Sequence, residues 1–395
     1  MTNMNSNKIG SVEGIRGIAC LMVFLSHLSL TFAPAMHSGN AAQAKSSIEM
    51  MIHNSPFAFF YSGVAAVAIF FVLSGYILSH VILTSKNPPL AIASMALKRY
   101  WRLMIPAAAS CLLAYAIFIT FKVDNSGLSG WAQRYIIESP SFYDAIKTGA
   151  INAFFGGSTA YNGSLWTMKI ELFGSVLVFF MCSIIPHIMY KKTFVIVFML
   201  IPFFMYLPPR EDIYYSSFVS GILVFLINKK ITNRLGVALF LIGLFFCGFH
   251  YHGVWYEWIH KGLTITARHK IDNYILFNSM GGFLFVLSVI KTDILSKLFS
   301  CKLLQYLGAV SFSVYLIHQP LLHVIAPTAF NFISPYAYNY AIASLFASTI
   351  CLVGVYFAAH FYRKYIDNFG ISFSSKFKNL AMSTNVEHKL IRDIN

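Results

Sequence analysis

"GIRGIACLMVFLSHL", Gly14 to Leu28, reads as the opening of a membrane-spanning helix, yet it carries Arg16 at its start and His27 deep inside the apolar run. The two lie eleven positions apart, a rotation of about 1100°, only ~20° beyond three full turns, and a rise of about 16 Å. Both therefore share one helix face, with the guanidinium near one membrane surface and the imidazole near mid-membrane. A structural explanation exists: Arg16 reaches phosphate headgroups and His27 hydrogen-bonds a neighbouring helix. The functional explanation starts from cost. An ionisable group in a span costs roughly 2.5–3.5 kcal/mol on insertion scales, so such groups tend to line cavities or pathways.

Composition sets the class around that stretch. Of 395 residues, 57% are hydrophobic and 11% charged, against roughly 25% charged in a soluble domain. Ten apolar segments are long enough, or nearly so, to cross a core of about 30 Å. They cover 15–35, 57–83, 103–122, 165–187, 193–208, 213–228, 235–251, 273–290, 303–328 and 339–361. The fold expected is all-α, a polytopic bundle of about ten transmembrane helices. Residues 1–370 form the membrane domain and 371–395 a cytoplasmic tail.

The net charge of +15 would suggest nucleic acid in a soluble protein, but its distribution is topological. Starting from a cytoplasmic N-terminus, 20 Lys and Arg fall in inside segments and seven in outside loops. That excess argues for both termini inside, membrane lipids as neighbours and no nucleic-acid partner. Residues 8–44, with "AAQA" beyond the apolar run, resemble a signal peptide, but cleavage would discard the helix bearing Arg16 and His27. The six cysteines form no CxxC or exposed pair and read as small packing residues. His250, His252 and His260 sit in an aromatic-rich outer loop whose spacing suits an interfacial belt better than a metal site, so no metal is expected. The "NGS" at Asn162 is formally a glycosylation sequon.

Other polar groups accumulate where a membrane should exclude them. "IFFVLSGYIL" places Ser74 and Gly75 in the second span, fit for close helix approach and an interhelical hydrogen bond. "KRYWRL" puts Arg99 and Arg102 on one helix face, where guanidinium forks suit phosphate as well as membrane anchoring. "SLWTMKIELF" sets Glu171 about a turn and a half below Trp166, on the outer side. "YLGAVSFSVYLIHQPLL" places Tyr315 and His318 one turn apart, with Gln319 beside them and Pro320 able to kink the helix.

Taken together, these stretches resemble the integral-membrane acyltransferases of acyltransferase family 3. The resemblance runs from about Gly14 to Arg363. It rests on Arg16 and His27 separated by ten residues, "FFVLSGYIL", Arg99-x-x-Arg102, "LWTMKIELF" and "LGAVSFSVYLIHQPLL". Lys169 departs from the pattern, standing where members commonly have Ser two residues before the glutamate. The resemblance implies an O-acyltransferase of a bacterial inner membrane. It would move acetyl from cytoplasmic acetyl-CoA to a hydroxyl of an extracytoplasmic glycan or lipid-linked glycan, such as a lipopolysaccharide O-antigen or exopolysaccharide. Arg16, Arg99 and Arg102 would grip the donor's phosphates. His27 would act as general base, with Glu171 orienting it or positioning the acceptor. Ser74, Trp166, Tyr315 and His318 would contact substrate. The rival from another class is a proton-coupled transporter or glycan flippase, which also buries His, Glu and Arg. Carriers often show paired interrupted helices in two halves, and the polar features of spans one, two and four have no such counterparts later in the chain.

Overall fold

The computed structural model describes residues 6–205, 207–208, 210–262 and 271–392. Arg268 and Lys270 of the charge count, and the side chain of His260, lie outside what is described. Among the described residues the chain is helical and contains no strand. Seven helices among the described residues are long and apolar enough to cross a membrane: Gly10–Phe32, Gly63–Leu83, Pro88–Thr120, Gly163–His187, Asn273–Lys291, Lys302–Ile333 and Tyr340–Met382. Three of the ten expected spans are shorter helices, Lys191–Leu200, Glu211–Leu226 and Asn233–Cys247. The longest of them has 16 residues and reaches about 24 Å at 1.5 Å per residue, short of the ~30 Å hydrocarbon core.

The bundle turns large apolar side chains outward. Phe173, Val176 and Phe180 on one helix, and Leu345, Val353 and Phe357 on another, are exposed. A soluble protein would bury such stripes, whereas lipid solvates them. Inside, small residues set the crossings. A Cβ on Gly308 would lie 1.9 Å from the Glu13 carbonyl oxygen, and one on Gly17 2.7 Å from that of Leu304. The first helix can therefore lie directly against the Lys302–Ile333 helix, which brings His27 beside His318. Gly75 and Gly221 perform the same service between Gly63–Leu83 and Glu211–Leu226, each with its absent Cβ about 2 Å from the other helix's backbone.

Two helices extend beyond their apolar runs and matter for the site. The Arg99 helix starts at Pro88, not at residue 103. Asn87 caps it, its side chain accepting from Leu90 N at 3.1 Å, and Pro88 and Pro89 occupy the first turn, where the missing N–H costs nothing. Arg99 and Arg102 consequently project from the middle of a continuous helix. At the other end of the chain, Asn368–Arg392 is helical, and Phe373 and Phe377 set their rings 5.5 and 5.2 Å from Trp101. The segment expected as a tail from 371 thus begins inside this helix and runs along the Arg99 helix.

Candidate active site

A cavity of about 740 Å³ opens between the first helix, the Ser74 helix, the Arg99 helix and the C-terminal helix. Arg16, Lys98, Arg99, Arg102 and Arg363 line it, opposed by Glu13, Glu171 and Asp367. Arg16 Nη1 donates to Glu13 Oε1 at 3.2 Å. Arg99 pairs with Glu171 Oε1, which also accepts from the Ser74 hydroxyl at 2.9 Å. Arg99 Nε is buried and keeps no partner. Beyond these charges the wall becomes apolar, with Phe70, Phe71, Leu73 and Phe312, and it reaches Tyr315 and Thr167. The Tyr315 hydroxyl is 2.8 Å from Thr167 Oγ1 and donates to the Ser164 carbonyl at 3.0 Å.

One turn beyond Tyr315 stands His318. Its Nδ1 faces the carbonyl oxygens of Tyr315 and Val314 at 2.8 and 3.0 Å, and its Nε2 lies 2.8 Å from His27 Nδ1. His27 Nε2 lies 3.0 Å from the amide nitrogen of Gln319. Trp131 stacks on the other face of His27, with ring centroids 5.3 Å apart and planes within 16°. That stack follows from how the first helix ends. Its terminal carbonyls need donors, and Ser129 supplies them: its hydroxyl donates to Leu30 O at 2.6 Å and its amide to Thr31 O at 3.1 Å. Residue 131 is thereby laid over the imidazole. Pro320 fixes the opposite wall. Lacking an N–H, it leaves the Leu316 carbonyl free, and Asn162 Nδ2 donates to it at 2.6 Å. This seats Gly163 against Gln319, where a side chain would collide, its Cβ 2.2 Å from Gln319 Oε1.

Several sequence expectations are redrawn. Glu171 does not touch His27: its carboxylate belongs to the Arg99 and Ser74 cluster, and the partner of the imidazole is His318. Both nitrogens of His318 are engaged, which leaves none free to hydrogen-bond a substrate. Trp166 packs against Tyr214 at 5.4 Å and stands outside the cavity lining. Lys169 donates to Glu211 Oε1 at 2.7 Å, so the residue that departs from the family pattern is paired within the fold. Asn162 is fully buried with both ends of its amide bonded, which makes it a structural residue and not a glycosylation acceptor. His250 points its two nitrogens at the carbonyls of Gly248 and His53, at 2.7 and 2.9 Å. Among the described residues no group of three or more His, Cys, Asp or Glu is placed to hold a metal. Trp131, Lys98, Thr167 and Arg363 were not singled out from sequence. Lys98 and Arg363 carried a signal, since each borders an apolar run with other cations, while Trp131 sits in an irregular connection that periodicity does not reach.

Comparison with known proteins agrees with this architecture. Residues 9–360 match the family described as "Acyltransferase domain". The chain is 22% identical over 379 residues to the peptidoglycan O-acetyltransferase OatA of Listeria monocytogenes, an alignment covering 82% of this chain and 51% of that protein. The chain thus spans about half the length of the curated relative it matches. No solved structure gives a significant match. The long apolar helices and the family together make this a multi-pass membrane protein. With its family matched across nearly the whole chain, and with Arg16, Arg99, Arg102 and Glu171 gathered on one cavity, the chain belongs to the integral-membrane acyltransferases of acyltransferase family 3.

Proposed function

We propose that this protein is a membrane O-acetyltransferase that takes acetyl from cytoplasmic acetyl-CoA and delivers it to a hydroxyl of an extracytoplasmic glycan. The observation that carries this reading is the run from five cations, along an apolar wall, to Tyr315, where the cavity ends one helical turn short of the histidine pair. A nucleotide with several phosphates suits the cationic mouth, because guanidinium groups bind phosphate through paired charge-assisted hydrogen bonds. A volume of about 740 Å³ lies within the roughly 300–1,000 Å³ usual for small-molecule sites. The apolar wall suits a narrow pantetheine arm that presents the thioester toward Tyr315.

In this mechanism His27 takes the proton of the acceptor hydroxyl as its oxygen attacks the thioester carbonyl carbon. The carbon–sulfur bond then breaks, and His27 returns the proton to the departing sulfur. Trp131 stacks on the imidazole and keeps bulk water from one of its faces. Glu171 holds Arg99 across the cavity, ready to exchange its partner for a phosphate. The orientation proposed has ten membrane segments, counting the three shorter helices, and both termini in the cytoplasm of a bacterial inner membrane. The resemblance to a peptidoglycan O-acetyltransferase supports a glycan as acceptor, with an O-antigen, an exopolysaccharide or a lipid-linked precursor within the same class.

The test compares purified wild type and His27→Ala in nanodiscs. Calorimetry reads acetyl-CoA binding, and mass spectrometry reads transfer to a panel of glycans. The expected outcome is donor binding by both proteins and transfer by wild type alone. Normal transfer by His27→Ala would make His27 a packing residue, and a wild type indifferent to acetyl-CoA would remove the donor.

A further inference from the structure

A general base needs a bare nitrogen, and a histidine has two candidates. We propose that His318 is a positioning residue that holds His27 with its proton on Nδ1, so that Nε2 is the basic atom. The proposal rests on the reading of His27 as general base. Carbonyl oxygens only accept hydrogen bonds, so the two carbonyls at 2.8 and 3.0 Å put the proton of His318 on Nδ1. His318 Nε2 then carries a lone pair. At 2.8 Å from it, His27 Nδ1 must be the donor, which leaves His27 Nε2 bare.

Gln319 points the same way by a separate route. Its amide nitrogen, a donor, sits 3.0 Å from His27 Nε2. With the proton of His27 on Nε2 instead, two lone pairs would face each other across the 2.8 Å contact and two donors would meet at Gln319. Reversing the Gln319 amide would relieve only the second conflict. Neither ring has a carboxylate partner among the described residues, since Glu171 is held by Arg99 and Ser74. The arrangement is also graded in accessibility: His318 is fully buried, whereas His27 is only partly so. The locked ring lies behind and the reactive ring in front.

The consequence is a defined path for the proton. The acceptor hydroxyl replaces the Gln319 amide at Nε2, gives its proton to that atom, and bonds to the acyl carbon. The same proton leaves Nε2 for the departing sulfur, while the Nδ1 proton stays on its bond to His318 throughout. A buried neutral imidazole thus does the orienting that a carboxylate does in a Ser-His-Asp triad, where a wrong tautomer costs about 10⁴ in kcat.

The experiment uses full-length protein in nanodiscs as wild type, His27→Ala, His318→Leu and His318→Gln, each assayed for CoA binding and for kcat and KM of transfer. His318→Leu removes the acceptor for Nδ1–H. It is expected to bind CoA normally, lose about a hundredfold or more in kcat, and keep both KM values within about threefold. His318→Gln restores an accepting oxygen and is expected to recover about tenfold of that loss. A His318→Leu enzyme as fast as wild type, beside an inactive His27→Ala, overturns this inference and leaves the base assignment intact. A Gln variant no better than the Leu variant also overturns it. An active His27→Ala removes the base assignment itself. Should His318→Leu fail to fold, ¹⁵N spectra of histidine-labelled wild type decide the matter. The His27 signals, identified by their loss in His27→Ala, are expected to show a protonated Nδ1 and a bare Nε2, and a protonated Nε2 refutes the proposal.

Discussion

Replacing Glu171 with Gln separates two roles for this carboxylate, because the substitution keeps its shape and removes its charge. Glu171 and Arg99 are mostly buried, with side chains 15% and 18% exposed, and both line the basic cavity. In the donor reading, the carboxylate competes with phosphate for Arg99 and repels it. At a charge separation of roughly 8 Å and an effective dielectric constant of about 40, between the protein and water limits, the repulsion removed is about 1 kcal/mol. Glu171→Gln should therefore bind CoA about fivefold more tightly. The gain should fade at 1 M salt, where the Debye length is about 3 Å. Without its counter-charge, Arg99 should destabilise the ligand-free protein by about 1.5–3 kcal/mol, so CoA should raise Tm more in the variant than in wild type. Calorimetry at low and high salt, with thermal unfolding in the same nanodiscs, reads both effects. Unchanged CoA affinity together with a raised acceptor KM would refute the reasoning and return Glu171 to the acceptor side.

Three further outcomes follow from the packing. Gly308→Val places a side chain against the Glu13 carbonyl and should cost about 3 kcal/mol, seen as a lower Tm and reduced yield of monodisperse protein. Asn162→Ala removes the donor to the Leu316 carbonyl that Pro320 leaves free. It should destabilise by about 1–3 kcal/mol, and wild type made in a glycosylating host should carry no sugar mass at Asn162. Trp166→Phe keeps the contact with Tyr214 outside the cavity, so transfer should stay within about twofold of wild type, and a large loss of kcat would put Trp166 in the site.

What sequence could convey divides along physical lines. The shared face of Arg16 and His27 was legible because it depends only on helical pitch within one segment. The membrane class was legible from charge and hydropathy. The pairing of His27 with His318 was not, since 291 residues separate them and their meeting depends on Gly17 and Gly308 letting two backbones touch. Glu171 was placed on the outer side by its distance from Trp166. Its true neighbour, Arg99, comes from a helix whose start hydropathy puts at 103. Better signals were present in Asn87-Pro88-Pro89, a capping side chain followed by two prolines, and would have carried Arg99 into the bundle. The C-terminal helix likewise announced its contact with Trp101 through Phe369, Phe373 and Phe377 at intervals of four, a pattern masked by the polar residues between them. Trp131 had no such pattern, because Ser129 and the C-terminal end of the first helix determine its position.

The most direct measurement of the central claim is a cryo-EM structure with a non-transferable acetyl-CoA analogue bound. The account predicts phosphate density against Arg16, Arg99 and Arg102, Arg99 drawn away from Glu171, and the acyl end resting at Tyr315 within reach of His27. An analogue bound elsewhere, with the Arg99–Glu171 pair intact and the cavity filled by lipid, would contradict it.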